Sequence, residues 1–509
     1  MQSGGMCMKK ELERGAGILL PISSLPSNYG IGTLGQEAYT FVDQMVKANQ
    51  TYWQVLPVGP TSFGDSPYQS FSSIAGNPYF IDLDILCEEK LLDKSEIEEI
   101  KWAMDEEFVE YETLWEYRFK ILKKAHYFFE KKHNKIKYQI FCDNNKEWLD
   151  DYALFMACKS HFGNRDWLSW DEDIRFRKSS ALTKYEKMLS EEISMWKFLQ
   201  FKFYEQWDKL KEYAGGQGVK IIGDIPIYVA LDSVDVWMNP ELFQLDKNLE
   251  PVNVAGCPPD AFSDEGQKWG NPLYDWGMLE QTDFKWWRNR IAASAKLYDV
   301  IRIDHFIGIV RYYAIPADKS ARFGWYEKGP GKKLIKAIDE SRGDSLIIAE
   351  DLGVIVPAVN RLLKQSGYPG MKVLEFAFDG DTANPYLPHK YERNYVVYGG
   401  THDNETLVGY YSSLDKELLK FAMDYCGAKN KRELIEKVIQ MAYASVANTV
   451  IFQMQDILKK DNRARMNFPS TIGCNWKWRL KKGEFTAEHI KMLSAFSKLY
   501  EREQTNLLI

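Results

Sequence analysis

The chain has 509 residues, 45% hydrophobic and 27% charged, with a net charge of −7. That acidic balance excludes a general nucleic-acid binder, and no uninterrupted apolar stretch approaches the ~20 residues a transmembrane helix needs. Seven cysteines (7, 87, 142, 158, 257, 426, 474) are odd in number and form no CxxC pair. They fit neither a disulfide framework nor a zinc site and point to a reducing compartment. Residues 1–14 lack an apolar signal-peptide core, so a cytoplasmic location is expected.

The elements alternate strand and helix. Residues 17–22 read as a first strand and 52–58 as a second. Between them, Ala38, Phe41, Val42, Met45 and Val46 recur at helical spacing. From 87 to 215 a block rich in Lys, Glu and aromatics replaces this pattern, with helices expected over 101–137, 148–161 and 190–213. It is an inserted subdomain. Residues 219–226 form the third strand. Residues 232–281 read as loop, too rich in aromatics and prolines for disorder, and are expected to wall or cover a site. Further strands end at Asp304, at Glu350, at Phe378 (373–378) and before His402 (394–398). An eighth, 448–452, follows an apolar-periodic helix at 433–444. Apolar strands alternating with helices indicate a parallel sheet covered on both faces. Eight such units fit a closed (β/α)8 TIM barrel. An open sheet would more often carry a Gly-rich phosphate turn after strand one, where Ser23-Ser24-Leu25-Pro26 stands instead. The expectation is one barrel domain over 1–509, with insertions at 87–215 and 232–281 and no C-terminal β domain.

Three short segments place acids where apolar strands end: Arg302-Ile303-Asp304-His305-Phe306, Ile348-Ala349-Glu350-Asp351-Leu352 and Gly400-Thr401-His402-Asp403-Asn404. In a parallel barrel the C-terminal strand ends converge on one pocket. Retaining glycosidic chemistry needs a carboxylate nucleophile and a protonated carboxyl whose pKa values are held apart. Arg302 lies two residues before Asp304 and so faces the same side of the strand, where it would keep Asp304 ionised as nucleophile. Glu350, with its longer side chain, is the candidate general acid/base, and Asp403 the third acid, placed to bind and distort the sugar. Any one of these could be a strand-end cap or ion-pair partner. All three in order on strands four, five and seven argue against that. Asp351 reads as an ion-pair partner facing away, and His305 as a structural histidine.

These motifs resemble those of the α-amylase clan of glycoside hydrolases. Within the clan the chain resembles the 4-α-glucanotransferases known as amylomaltases or disproportionating enzymes, from Gly17 to about Leu480. The matching segments include Ser66-Pro67-Tyr68, Gly76-Asn77-Pro78-Tyr79, Gly223-Asp224-Ile225-Pro226, the 256–262 and 267–274 loops, and Arg465-Met466-Asn467. One departure is Ile307, where many relatives carry Arg.

The resemblance implies retaining transfer of α-1,4-glucan segments through a covalent glucosyl-enzyme, without metal or organic cofactor. Asp304 would be nucleophile, Glu350 acid/base and Asp403 transition-state stabiliser. Tyr68 would stack on the sugar at the nucleophile side, and Asp224 and His402 would bond its hydroxyls. Trp269 would form an acceptor-side platform, and Arg302, Asp379 and Asn467 would supply polar contacts. The expected partners are maltooligosaccharides and other α-1,4-glucans, with glucose as acceptor, bound by a monomer or homodimer that contacts neither nucleic acid nor membrane. The alternatives are an α-1,4-glucan hydrolase of the same clan and a non-catalytic glucan-binding protein.

Overall fold

The computed structural model describes residues 11–62, 64–259, 264–353 and 356–503. Its strands are β1 Gly15–Leu19, β2 Tyr52–Gln54, β3 Lys220–Pro226, β4 Asn253–Cys257, β5 Gln267–Pro272, β6 Val300–Asp304, β7 Arg311–Pro316, β8 Trp325–Lys328, β9 Leu346–Ala349, β10 Gly370–Val373, β11 Tyr395–Tyr398 and β12 Thr449–Gln453. Eight of them form one parallel sheet in the order β10-β11-β12-β1-β2-β3-β6-β9. The two ends meet: Ala349 N–H donates to Pro369 O at 3.0 Å, and Met371 N–H to Asp351 Oδ1 at 2.7 Å. The sheet is thus a (β/α)8 barrel. Asp351 serves this seam through a backbone N–H rather than the ion pair expected of it, because the chain leaves β9 beside the start of β10.

The alternation of side chains along each strand divides the core. Leu19, Tyr52, Ile222, Val300, Ile348, Met371, Val373, Val396, Tyr398 and Ile451 form one buried cluster inside the barrel. Their strand neighbours, among them Ile18, Trp53, Ile221, Ile301, Ile303, Ile347, Val397 and Val450, belong to the larger core that faces the helices. Because successive residues point to opposite faces, Asp224 shares the inner face with Ile222, and Arg302 and Asp304 share it with Val300. The apolar barrel floor therefore passes directly into a charged mouth.

Strand ends differ from the apolar runs of the sequence. The run 373–378 contributes only Val373 to β10, and Leu374–Phe376 form a 3-10 turn. Pairing with β11 covers Gly370–Val373, and the apolar residues beyond it (Leu374, Ala377, Phe378) bury themselves in the core from the turn. Strand length follows pairing rather than hydrophobicity.

Between β2 and β3 run the helices Tyr111–Glu130, Ile136–Asn144, Lys146–His161, Ser179–Met188 and Ser190–Gly216. The last enters β3 through the buried Val219. Its Gln200 clamps Gly76 through N–H and carbonyl (2.8 and 2.9 Å), and its Gln206 accepts from Asp82 N–H at 2.7 Å. The chain following Tyr68 is thereby anchored. Residues 232–281, read as loop, contain β4 and β5, which join β7 and β8 in an antiparallel sheet of order β5-β4-β7-β8. These strands lack the continuous apolar run of the barrel strands: β5 (Gln-Lys-Trp-Gly-Asn-Pro) is exposed or half-buried over its first four residues. Residues 260–262 of the family-like loop, and residues 1–10, lie outside the described residues. No described helix is long and apolar enough to cross a membrane.

Candidate active site

The parallel register of β3 and β6 sets Asp224 opposite Arg302. Arg302 is 3% exposed, and its Nη1 lies 2.5 Å from Asp224 Oδ2 and 3.0 Å from Asp304 Oδ1. One cation thus serves two carboxylates: the expected contact of Arg302 with Asp304 is present, and Asp224 shares it. Burial pushes the Asp304 carboxyl up, Arg302 pulls it back, and Asp224 and Asp403 push it up again, leaving it at about 6. The two acids hold the Arg302 charge firmly against the cost of burial.

Glu350 directly follows β9, whose Ala349 pairs with Ile303 of β6, so Glu350 and Asp304 leave neighbouring strands at one level. Neighbouring strands lie about 4.8 Å apart, which sets the two acids side by side. The Glu350 side chain accepts two backbone N–H groups, His305 to Oε2 at 2.6 Å and Leu352 to Oε1 at 2.7 Å. The backbone of His305 is left-handed, at φ 52°. Burial, then the charge of Asp304, raise the Glu350 carboxyl to about 8, against the opposing pull of Arg302 and the two N–H groups. The ring of His305 meets Trp269 edge-on at 5.0 Å, and burial lowers its pKa to about 4, which keeps it neutral.

The third acid comes from across the mouth, beyond β11. Asn467 Nδ2 donates to Asp403 Oδ1 at 2.6 Å, His402 Nε2 stands 3.3 Å from Oδ2, and Arg465 Nη2 donates to the Asp403 carbonyl at 2.7 Å. Burial pushes Asp403 up, but His402 and Asn467 outweigh it and hold this carboxyl far below its usual range. His402 feels the converse: burial lowers its pKa, Asp403 raises it, and the rise prevails. The His402 ring stacks on Tyr68 at 4.9 Å with a 17° tilt, and Trp476 lies 5.8 Å from both rings. Tyr68 Oη donates to Asp224 Oδ2 at 2.8 Å, closing a network from Asp403 round to Arg302.

Tyr68, Asp224, Arg302, Asp304, Glu350, His402, Asp403 and Asn467 therefore surround one mouth, with Trp269 beside it through His305. Asp379 is not drawn in: it is exposed, and its Oδ1 accepts from Asp381 N–H at 3.0 Å. Trp476 and Arg465 also belong to the site; the family-like Arg465-Met466-Asn467 segment gave a role to Asn467 only. Arg465, two residues before Asn467, repeats the Arg302–Asp304 spacing, and its Nε donates to the Asn467 carbonyl at 2.8 Å. Trp476 left no comparable signal. Among the described residues, no group of three or more His, Cys, Asp or Glu side chains could hold a metal ion.

Two carboxyls with separated pKa values beside a third that stays ionised can cleave and remake a glycosidic bond. Comparison with known proteins agrees. A family model described as 4-alpha-glucanotransferase matches residues 20–486. A 4-alpha-glucanotransferase of Clostridium butyricum is 50% identical over 484 residues, 94% of this chain and 99% of the relative. That of Thermus thermophilus is 42% identical over 503 residues, 97% and 100% of the two chains. The structure of an amylomaltase from Streptococcus agalactiae in complex with acarbose superposes with a TM-score of 0.94 at 44% identity, covering 96% of this chain and all of that one. The chain belongs to the 4-alpha-glucanotransferase family.

Proposed function

We infer that the protein transfers α-1,4-glucan segments from maltooligosaccharides or starch-like glucans to acceptor sugars by retaining double displacement. Asp304, ionised above about pH 6, attacks the anomeric carbon while Glu350, protonated below about pH 8, gives its proton to the departing glycosidic oxygen. The acceptor hydroxyl then yields its proton to the Glu350 carboxylate and attacks the glucosyl–Asp304 ester, which restores both groups. Asp403, ionised throughout, faces the positive charge that develops on the sugar. Asp224, Tyr68, His402 and Arg302 line the donor side. Trp269, on β5, serves as an acceptor-side platform, with residues 232–281 as a wall that limits water. Residues 87–215 form a helical insertion within the single barrel domain.

The observation that carries this reading is that Asp304, Glu350 and Asp403 meet at one mouth, Asp304 held by Arg302, Glu350 by the backbone N–H of His305, and Asp403 by Asn467. Glucose among the acceptors, a cytoplasmic setting and a monomeric or dimeric state are part of the same proposal, the setting supported by cysteines without a disulfide pattern. Chromatography of the products from maltotriose tests the function. A ladder of longer oligosaccharides with glucose is expected. Glucose and maltose without longer products would make the protein a hydrolase, and unchanged maltotriose would make it a binding protein.

A further inference from the structure

Trp476 stands where the inserted helices, the support of Asp403 and the Tyr68–His402 stack come together. It is 6% exposed, and its backbone is left-handed, at φ 64°. A bulky residue seldom adopts that conformation, which persists only where the surroundings fix it. Three contacts do so here, and each leads to a different part of the molecule.

The ring lies against both members of the stack, its plane at 40° to Tyr68 and 41° to His402. A third ring packed against both restricts where the pair can lie. The N–H of Trp476 donates to the carbonyl of Met466 at 2.7 Å. Met466 sits between the two residues that hold Asp403, Arg465 at its carbonyl and Asn467 at its carboxylate. The carbonyl of Trp476 accepts from Tyr111 Oη at 2.9 Å, and Tyr111 opens the inserted helix Tyr111–Glu130.

The bond from Tyr111 is one of a set. Residues 107–109 run beside 477–479: Val109 N–H donates to Lys477 O at 2.7 Å, Arg479 N–H donates to Glu107 O at 2.8 Å, and Phe108 forms an antiparallel bridge with Trp478. Glu107 also accepts from Lys460 Nζ at 2.7 Å and lies 3.0 Å from Lys481 Nζ. On the other side, Asn475 Oδ1 accepts from Phe468 N–H at 2.9 Å, which ties the turn leading into Trp476. The backbone of Trp476 is therefore set by the insertion and by its own loop, while the ring faces the donor-side residues.

We propose that Trp476 is a positioning residue for glucan transfer, placed by Tyr111 of the inserted helices and acting through the Tyr68–His402 stack and the Arg465–Asn467 segment. It exchanges no proton and forms no bond with the sugar. Small displacements of groups that hold a substrate cost rate steeply, so the docking of residues 87–215 has a part in the reaction. The effect on rate rests on the proposed transfer function; the placement of the His402 ring by way of Trp476 does not.

Tyr111→Phe removes one hydroxyl and tests both halves. The chain has seven histidines, so ring-carbon labelling gives a short NMR spectrum in which the His402 signal is the one lost in His402→Gln. In Tyr111→Phe the His402 signal should move, as the Trp476 ring beside it shifts, while that of His489 in the C-terminal helix stays. The kcat for transfer should fall about three- to tenfold with KM within about twofold, as for one lost hydrogen bond. Trp476→Phe keeps a ring and should cost kcat no more than about threefold, whereas Trp476→Leu keeps only bulk and should cost at least about tenfold. A merely structural Trp476 would instead lower the melting temperature and leave kcat per folded molecule intact. If Trp476→Leu fails to fold, Tyr111→Phe decides alone. In an active parent, either an unmoved His402 signal or an intact kcat in Tyr111→Phe would overturn the proposal. A moved signal with no transfer by the parent would sink the function and keep the placement by Tyr111.

Discussion

The backbone N–H of His305 donates to Glu350 Oε2 at 2.6 Å, so the residue next to one catalytic candidate holds the carboxyl of the other. The backbone of His305 at this point is left-handed, at φ 52°. Glycine adopts that conformation freely and a β-branched residue does so only under strain. His305→Gly should keep kcat within about threefold, whereas His305→Val should lower it about tenfold or more, for a strain of ~1–2 kcal/mol. The N–H favours ionised Glu350, so its loss in the Val variant should also move the alkaline limb of the rate profile to higher pH. Equal activities in the two variants would remove the backbone from the account.

Asp304→Asn should lower transfer at least about a thousandfold. The carboxamide is nearly isosteric and still accepts from Arg302, so melting temperature and glucan binding should be little changed. Activity within tenfold of the parent would end the nucleophile assignment.

The rate profile should be bell-shaped, with limbs near pH 6 and pH 8 that belong to the Asp304–Glu350 pair as a unit. Below the lower limb Asp304 is protonated and cannot attack; above the upper limb Glu350 has lost the proton owed to the leaving oxygen. Asp224 raises the Asp304 pKa and draws on the same Arg302. Asp224→Asn should therefore shift the acid limb to lower pH, whatever it does to KM. A shift to higher pH would contradict the shared-cation geometry.

Trp269→Ala separates a platform from a packing role. Losing a stacking face worth about 1 kcal/mol should leave the glucosyl-enzyme forming normally but hold the acceptor less well. The ratio of hydrolysis to transfer and the acceptor KM should both rise. Because Trp269 also meets His305 edge-on, a packing role predicts a lower melting temperature with both reactions reduced together, and measuring both on one protein decides the matter.

Local chemistry along each strand determined much of this protein. Alternation alone put Arg302 and Asp304 on one face, and the end of each apolar run marked where Asp304, Glu350 and Asp403 leave the barrel. What the fold decided are relations between distant segments. Arg302 is shared because closure sets Asp224 beside it, 78 residues away. Asp403 stays ionised through Asn467, 64 residues on. Trp476 reaches Tyr68 from the far end of the chain, and β10, β11 and β12, lying side by side, bring Glu375 against Gly400 and Asp456 against Gly399. Asp379, read as a contact from its place after strand six, is exposed, its Oδ1 accepting from Asp381 N–H. Pairing and closure, not composition, set where strands stop and which charges meet, and the electrostatics of the site follow from those distances.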